Sequence, residues 1–389
     1  MSNEFRRVMG EDFANRRITF LGAGPMSPVS VTAIIDLANR YKKPIALIPS
    51  RRQVEAASLG GGYSNNWTTE VFTKFVRSRD SGGFVKLSRD HSGPWQLNER
   101  DQLGEVHSHS QAMEEVKESL AVDLKCGFDL IHLDPSKGLL FGRSQLEVEE
   151  DIYELLDFCV KNGKQQFEFE IGADDQSYVP DLVSRAEDSL NRVLQEIKNL
   201  GLPSPLFYVL QTGTKVMELR NVGSFDSKLP VAGMLPSSVQ LPEMLKMCRR
   251  YGVFLKEHNA DYLSTTALKW HRRFGIHAAN VAPEFGVAET KALLQVAQEN
   301  QMKSFIDEFS NIVLAGQKWK KWLVVNGSCT EDEKIQIAGH YHFSEERVLE
   351  LRNKLRQDLM KKSLDLEALV SKQVEESIDR YLRWFGYAD

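Results

Sequence analysis

The chain has 389 residues, 42% of them hydrophobic, and can bury a large core; its 49 Lys+Arg against 54 Asp+Glu leave a net charge of -5 with no basic tail, which argues against nucleic acid as a partner. The four cysteines, Cys126, Cys159, Cys248 and Cys329, are widely spaced without a CxxC pair, and the opening MSNEFRRVMGEDF lacks the apolar core of a signal peptide, so a cytoplasmic protein with reduced thiols is expected. No apolar run approaches the roughly 18 residues that span a bilayer, and no membrane partner is expected.

Short β-branched or aromatic runs alternate with amphipathic stretches from the start of the chain to about Asn280. Ile18–Gly22 reads as a first strand, and the Gly22, Ala23, Gly24, Pro25 turn after it lacks the remaining glycine of a dinucleotide fingerprint. Helix Pro28–Tyr41 leads to strand Ile45–Pro49, followed by Ser50, Arg51, Arg52 and Gln53. Helix Thr69–Arg79 leads to strand Phe84–Ser88, followed by Arg89, Asp90 and His91. Helix Ser108–Cys126 leads to strand Phe128–Leu133, followed by Asp134, Ser136 and Lys137. Helix Val148–Asn162 leads to strand Gln166–Ile171, closed by Glu170. Helix Tyr178–Leu200, strand Leu206–Gln211 and the long Gly-, Pro- and Ser-containing loop Arg220–Pro236 come next. Helix Leu241–Tyr251, strand Val253–Glu257 with His258, Asn259 and Asp261 after it, helix Thr265–Arg273 and strand Phe274–Asn280 complete eight units.

Strands alternating with helices imply parallel βαβ units. The polar groups follow nearly every strand instead of collecting at one switch point, so the expected fold is α/β, a closed (β/α)₈ TIM barrel. Beyond Asn280, Ala288–Ala315 and Ser344–Phe385 read as helices. The expected layout is a barrel over 1–315 and a C-terminal helical extension over 316–389 packed on it.

In KLSRDHSGPW, a carboxylate beside an imidazole can divide labour, His91 on a metal and Asp90 moving a proton; the bland alternative makes Asp90 a helix cap and His91 a loop donor. In QQFEFEIG, alternation sends Glu168 and Glu170 to the same side. Two carboxylates facing into a packed barrel need a cation, a Lys or an Arg, and Glu170, nearer the strand end, is the functional candidate. His258 in FLKEHNADYLST adds a second imidazole, and Gln211 a polar group from a fourth strand. Two imidazoles plus oxygen donors suit a divalent cation, Zn²⁺ first, with Mn²⁺ or Co²⁺ as alternatives. Arg51, Arg52 and Lys137 are candidates for holding a phosphate or carboxylate, or else surface charge.

The segments RRQVEAASLGGGYSNNWTTEVFTKFV, LSRDHSGPW, FDLIHLDPSK, FEFEIG, VLQTGTKV and EHNADYLST, in this order, resemble the Z-type subunit family of class II tagatose-1,6-bisphosphate aldolase, and the likeness continues through FGIHAANVAPEFG and YHFSEERV. The resemblance implies a barrel akin to class II aldolases, which use a strand-end divalent metal to stabilise an enediolate. It implies Asp90 as acid/base, His91 and His258 as ligands, and Glu170 as a nearby carboxylate that is both catalytic and ligating. Gln53, Tyr63, Ser136, Lys137, Gln211 and Asp261 fall at substrate-binding positions with Arg51 and Arg52. Gln211 stands where catalytic class II aldolases place a further histidine, and FLGAGPMSP and the Arg51–Arg52 pair depart from the Z-type pattern. Two functions therefore remain open: a metal-dependent aldolase or epimerase acting on a ketose or its phosphate, or a non-catalytic stabilising subunit of a separate aldolase chain. A homo-oligomer is expected in either case.

Overall fold

The computed structural model describes residues 4–388 except 17, 98–106, 164–165, 173–181, 228, 230, 232–234 and 325–326. Eight parallel strands close a barrel: β1 (Phe20–Ala23), β2 (Ile45–Leu47), β3 (Val85–Ser92), β4 (Leu130–Leu133), β5 (Glu168–Gly172), β6 (Phe207–Val209), β9 (Phe254–Glu257) and β10 (Ala278–Val281), with β10 paired to β1. An antiparallel hairpin, β7 (Val216–Met217) and β8 (Arg220–Asn221), occupies the connection after β6. The α/β reading and the closed (β/α)₈ barrel are as expected.

Strand-to-strand helices form the outer ring: α2 (Pro28–Tyr41), α3 (Thr69–Arg77), α4 (His109–Lys125), α5 (Gln145–Asn162), α6 (Leu182–Asn199), α7 (Ser237–Tyr251), α8 (Thr265–Phe274) and α9 (Pro283–Glu299). Their starts follow local chemistry. The side chains of Ser27, Ser108 and Ser144 each accept a hydrogen bond from the third helical amide, and each serine's own amide donates to that third residue's side chain, which satisfies amides a helix end otherwise leaves orphaned. The expected helix 178–200 begins outside the described residues.

Inside the barrel, Phe20, Leu130 and Phe207 fill the lower lumen, and Ile48 joins their cluster from the strand-end side. A preceding helix, α1 (Glu4–Arg16), covers that end: Met9 is buried, Phe13 packs edge-on to Phe254 with ring centroids 4.7 Å apart, and Arg6 Nε donates to Glu168 Oε2 at 3.0 Å. Glu168 thus finds the arginine partner that an inward carboxylate requires.

The two long C-terminal helices read from the sequence are each broken in two. Ala288–Ala315 divides into α9 and α10 (Lys303–Gly316), because Gln301 turns to φ +61°. Ser344–Phe385 divides into α12 (Glu346–Met360) and α13 (Leu366–Phe385), because Ser363 adopts φ +60° and Asp365 caps the next helix through the amides of Glu367 and Ala368. Apolar spacing runs across both breaks, so periodicity could not reveal them. Between these pairs lies α11 (Glu331–Ala338). Helix α13 packs against α2, α8, α9 and β1, and its Val370, Val374, Ile378 and Leu382 share one apolar cluster with Leu21 and Ile34 of the barrel. The segment after α13 is bonded to the barrel wall: Thr19 N donates to Phe385 O (3.0 Å), Lys43 Nζ to Tyr387 O (2.7 Å) and Tyr387 Oη to Pro44 O (2.6 Å). Among the described residues no helix is long and apolar enough to cross a membrane.

Candidate metal centre

Strand β3 runs further than its sequence suggests and carries Asp90 and His91 within its last turns of pleat. The β3–β4 register shifts between Arg89 and Ser92, and His91 takes φ +51°. A bulge of this kind re-aims one side chain, and positive φ at a non-glycine residue is strain of the sort retained at functional sites. Asp90 is held in place through its backbone amide, which donates to Pro49 O at 3.1 Å.

Around Asp90 stand three imidazoles from three strand ends. His91, His132 of β4 and His258 beyond β9 have ring centroids 5.1, 5.1 and 5.3 Å apart pairwise. Asp90 Oδ2 lies 3.6 Å from His91 Nε2, and Asp90 Oδ1 lies 3.5 Å from His132 Nδ1 and 3.8 Å from His258 Nε2. One ligand atom from each of the four residues falls within 4.8 Å of all the others. Zn–N bonds of roughly 2.0–2.1 Å in tetrahedral geometry would draw such atoms in by about 1 Å each.

The partners of the rings fit a cation. His91 Nδ1 is 2.7 Å from Asp134 Oδ2, and His132 Nε2 is 2.9 Å from the Gly172 carbonyl. Each of those oxygens accepts an N–H, as the partners of ligating histidines do, which leaves His91 Nε2 facing Asp90; His132 Nδ1 also faces Asp90 and accepts from the His91 amide at 3.3 Å. Burial, and then the neighbouring imidazoles and Lys256 against the opposing pull of Asp90, hold His258 well below its ordinary range. For Asp90, burial pushes upward, but His91, His258 and His132 outweigh it and keep the carboxyl ionised, below the usual carboxylate range.

The cluster opens into a cavity of about 570 Å³. Most of the sequence candidates line it. Arg52 Nε donates to Gln96 O (3.1 Å), and Lys137 Nζ to the same carbonyl (3.2 Å); Gln96 Nε2 in turn reaches Asp134 Oδ2 at 3.2 Å. The Ser136 amide donates to Asp134 Oδ1 (3.1 Å), and Gln53 Oε1 accepts from the Ser50 amide (3.0 Å). Tyr63 lines the wall and its amide donates to Arg52 O (2.9 Å).

Three candidates are placed differently. Glu170 is fully buried with both oxygens on Lys256 Nζ, at 2.7 and 2.9 Å, and is not in the four-residue group. The inward carboxylate has its lysine, and His132 stands in the cluster instead. Arg51 touches the cavity, and its Nε and Nη2 brace the β2 loop on Glu55 (2.6 Å) and Glu115 (2.8 Å), while its buried Nη1 has no hydrogen-bond partner among the described residues. Gln211 does not line the cavity; its Oε1 turns back onto the Gly213 amide at 2.8 Å. The sequence reading missed His132, whose signal was alternation: Leu130, His132 and Asp134 share a face. It also missed Lys321, Trp322, His340 and Tyr341, which line the cavity from beyond α10.

Asp261 lines the cavity while its Oδ1 accepts from the Ala282 and Glu284 amides at the start of α9, at 3.0 and 2.8 Å. Burial and then the Glu284 charge raise its carboxyl to about 8 despite those amides. The folded state therefore holds this proton more tightly than the unfolded chain, whose aspartates titrate near 3.9. Its stabilising contribution is complete below about pH 4 and lost as pH rises through about 8. Asp261→Asn keeps an acceptor and removes the titration. The melting temperature of the parent should fall by several degrees relative to the variant between about pH 5 and about pH 8; parallel curves in scanning calorimetry would contradict the assignment.

No family model matches the sequence, and no curated protein matches it. Solved structures do. A probable tagatose 6 phosphate kinase from Sinorhizobium meliloti 1021 is 17% identical with a TM-score of 0.71, over 94% of this chain and 100% of that one. The fructuronate-tagaturonate epimerase UxaE from Cohnella laeviribosi is 12% identical with a TM-score of 0.56, over 99% and 86% of the two chains. A fructose-bisphosphate aldolase from Campylobacter jejuni is 12% identical with a TM-score of 0.53, over 97% and 93%. At these identities the likeness is one of fold.

Proposed function

We propose that this chain is a divalent-metal-dependent enzyme acting on a ketose or ketose phosphate by aldolase-type or epimerase chemistry. The observation that carries the reading is the triangle of imidazoles enclosing Asp90 at the strand ends, where barrel enzymes place their chemistry. It is supported by the resemblance to the Z-type aldolase subunits and by fold neighbours described as an aldolase and an epimerase of sugars. His91, His132 and His258 would hold the cation, Zn²⁺ first and Mn²⁺ or Co²⁺ as alternatives. The bound cation would supply Lewis-acid polarisation of a carbonyl and an adjacent hydroxyl.

The chain's own groups do the rest. Asp90, ionised and turned toward Asn280 Nδ2 at 3.4 Å, takes a proton from a substrate hydroxyl or carbon. Asp134 and the Gly172 carbonyl hold the ring orientations, and the polar groups of the β2 and β4 loops receive the sugar.

Metal analysis of the chain purified alone, followed by a screen of ketoses and ketose phosphates for cleavage or epimerisation, tests the reading. Asp90→Asn keeps the side-chain shape, loses its basicity, and should lower kcat on the order of a hundredfold or more with metal content retained. Full turnover in that variant would remove Asp90 from the mechanism. The stabilising-subunit reading follows from the resemblance to the Z-type subunits and is favoured modestly by Gln211 in place of a histidine; because His132 brings a third imidazole from another strand, that substitution loses its weight. An isolated, metal-loaded chain that turns over no ketose yet stabilises a separate class II aldolase would restore it.

A further inference from the structure

The cavity is not built by the barrel alone. Four of its lining residues, Lys321, Trp322, His340 and Tyr341, come from the stretch between α10 and α12. This stretch is tied to two barrel loops. The Glu218 amide, in the turn between β7 and β8, donates to Trp322 O at 2.7 Å, and Glu218 Oε1 accepts from the Val324 amide at 3.4 Å. On the other side Ser344 Oγ donates to Tyr63 O at 2.6 Å, and the Tyr63 and Tyr341 rings lie 5.3 Å apart.

Within the stretch, Trp322 Nε1 donates to Tyr341 Oη (3.2 Å), and Lys321 Nζ lies 5.4 Å from the Trp322 ring centre and 4.8 Å from that of Tyr341. The result is an aromatic wall with a cation at its edge. It stands beside Arg52 and Lys137, which meet at the Gln96 carbonyl. Aromatic faces suit the C–H faces of a polyol, and three cationic side chains around one concavity raise its potential and concentrate an anionic ligand. Of the carboxylates in the same cavity, Asp90 stands among imidazoles, Asp134 meets His91 and Gln96, and Asp261 accepts from the amides of α9.

Resting on the function proposed above, we infer that Lys321, Trp322 and Tyr341 are specificity-determining residues: they complete the substrate site and, with Arg52, select a sugar bearing an anionic terminus, phosphate or carboxylate. The wall carries the sugar chain and Lys321 reads the charge. Two rings and a tryptophan–tyrosine hydrogen bond, set before the ligand arrives, keep the ordering cost of binding low.

The test is calorimetry on the Zn²⁺-loaded full chain with D-tagatose 6-phosphate, D-tagaturonate, D-tagatose and inorganic phosphate. The parent should bind one of the two anionic sugars at least about tenfold tighter than D-tagatose, and which one does so separates phosphate from carboxylate. Lys321→Met keeps the stem over the rings and should collapse that ratio about tenfold. Trp322→Leu should weaken all three sugars together. A ratio unchanged by Lys321→Met, or a parent that does not prefer an anionic ligand, overturns the inference even if ketose turnover is found. If inorganic phosphate binds the parent and is lost in Lys321→Met while no ketose is turned over, the subsite stands and the catalytic reading falls.

Discussion

His132→Ala should reduce the affinity for Zn²⁺ by well over the roughly 10–100-fold that loss of a supporting hydrogen-bond partner costs, and turnover should vanish with the metal. On the proposed reading the ring would offer Nδ1, which also accepts from the His91 amide at 3.3 Å, while Nε2 is fixed on the Gly172 carbonyl, so alanine would delete a ligand and free no substitute. Asp134→Asn is the graded comparison: it leaves His91 in place but weakens the hydrogen bond that orients it, and a loss on the order of 10–100-fold is expected. Metal titration monitored by competition with a chelator reads both. His258→Ala should match His132→Ala. Equal, small effects for His132→Ala and Asp134→Asn would mean that the triangle of imidazoles is a structural hydrogen-bond network rather than a metal centre.

The second large effect concerns stability. Arg89 and Asp123 are fully buried and joined by two hydrogen bonds, at 2.6 and 2.7 Å. Arg89 also donates to Pro49 O (3.2 Å), Val54 O (2.6 Å) and Thr69 Oγ1 (3.1 Å), so one guanidinium secures the β2 loop, the start of α3 and β3 next to Asp90. Arg89→Met leaves Asp123 buried without its countercharge and should cost about 3–5 kcal/mol in urea unfolding. The double variant Arg89→Met, Asp123→Leu should recover much of that loss, because replacing both partners of a buried pair by apolar groups is often close to neutral. A single variant as stable as the parent would show that water or a shifted side chain reaches Asp123.

The barrel was legible because each unit carries its own local signals: Pro28–Tyr41 is bounded by a serine cap and an αL lysine, and Thr265 follows Ser264 in the same role. Asp90, His91 and His258 were legible because each sits in a polar run directly beyond an apolar one. Glu170 was legible as an inward carboxylate but not in its partner, since Lys256 lies 86 residues away on β9, the next strand but one, with β6 between them. His132 is flanked by Ile131 and Leu133 in a strand that otherwise reads as core, so its chemistry was hidden by its neighbours. The aromatic wall was invisible for a related reason: Tyr63 and Ser344 meet across 281 residues, and nothing local in YHFSEERV points to the β2 loop.

The bonds around Tyr387 bear on how the protein reaches this state. The Leu21 amide donates to Tyr387 Oη across 366 residues, so at synthesis rates of about 5–20 residues per second the first strand leaves the ribosome roughly 20–70 s before this partner exists. Until β10 is made the β1 edge that will meet it is an open row of hydrogen-bonding groups, and until α13 is made the apolar side chains destined for it are uncovered. Ile34 and Leu21, buried in the finished fold, belong to the apolar surface that waits for α13.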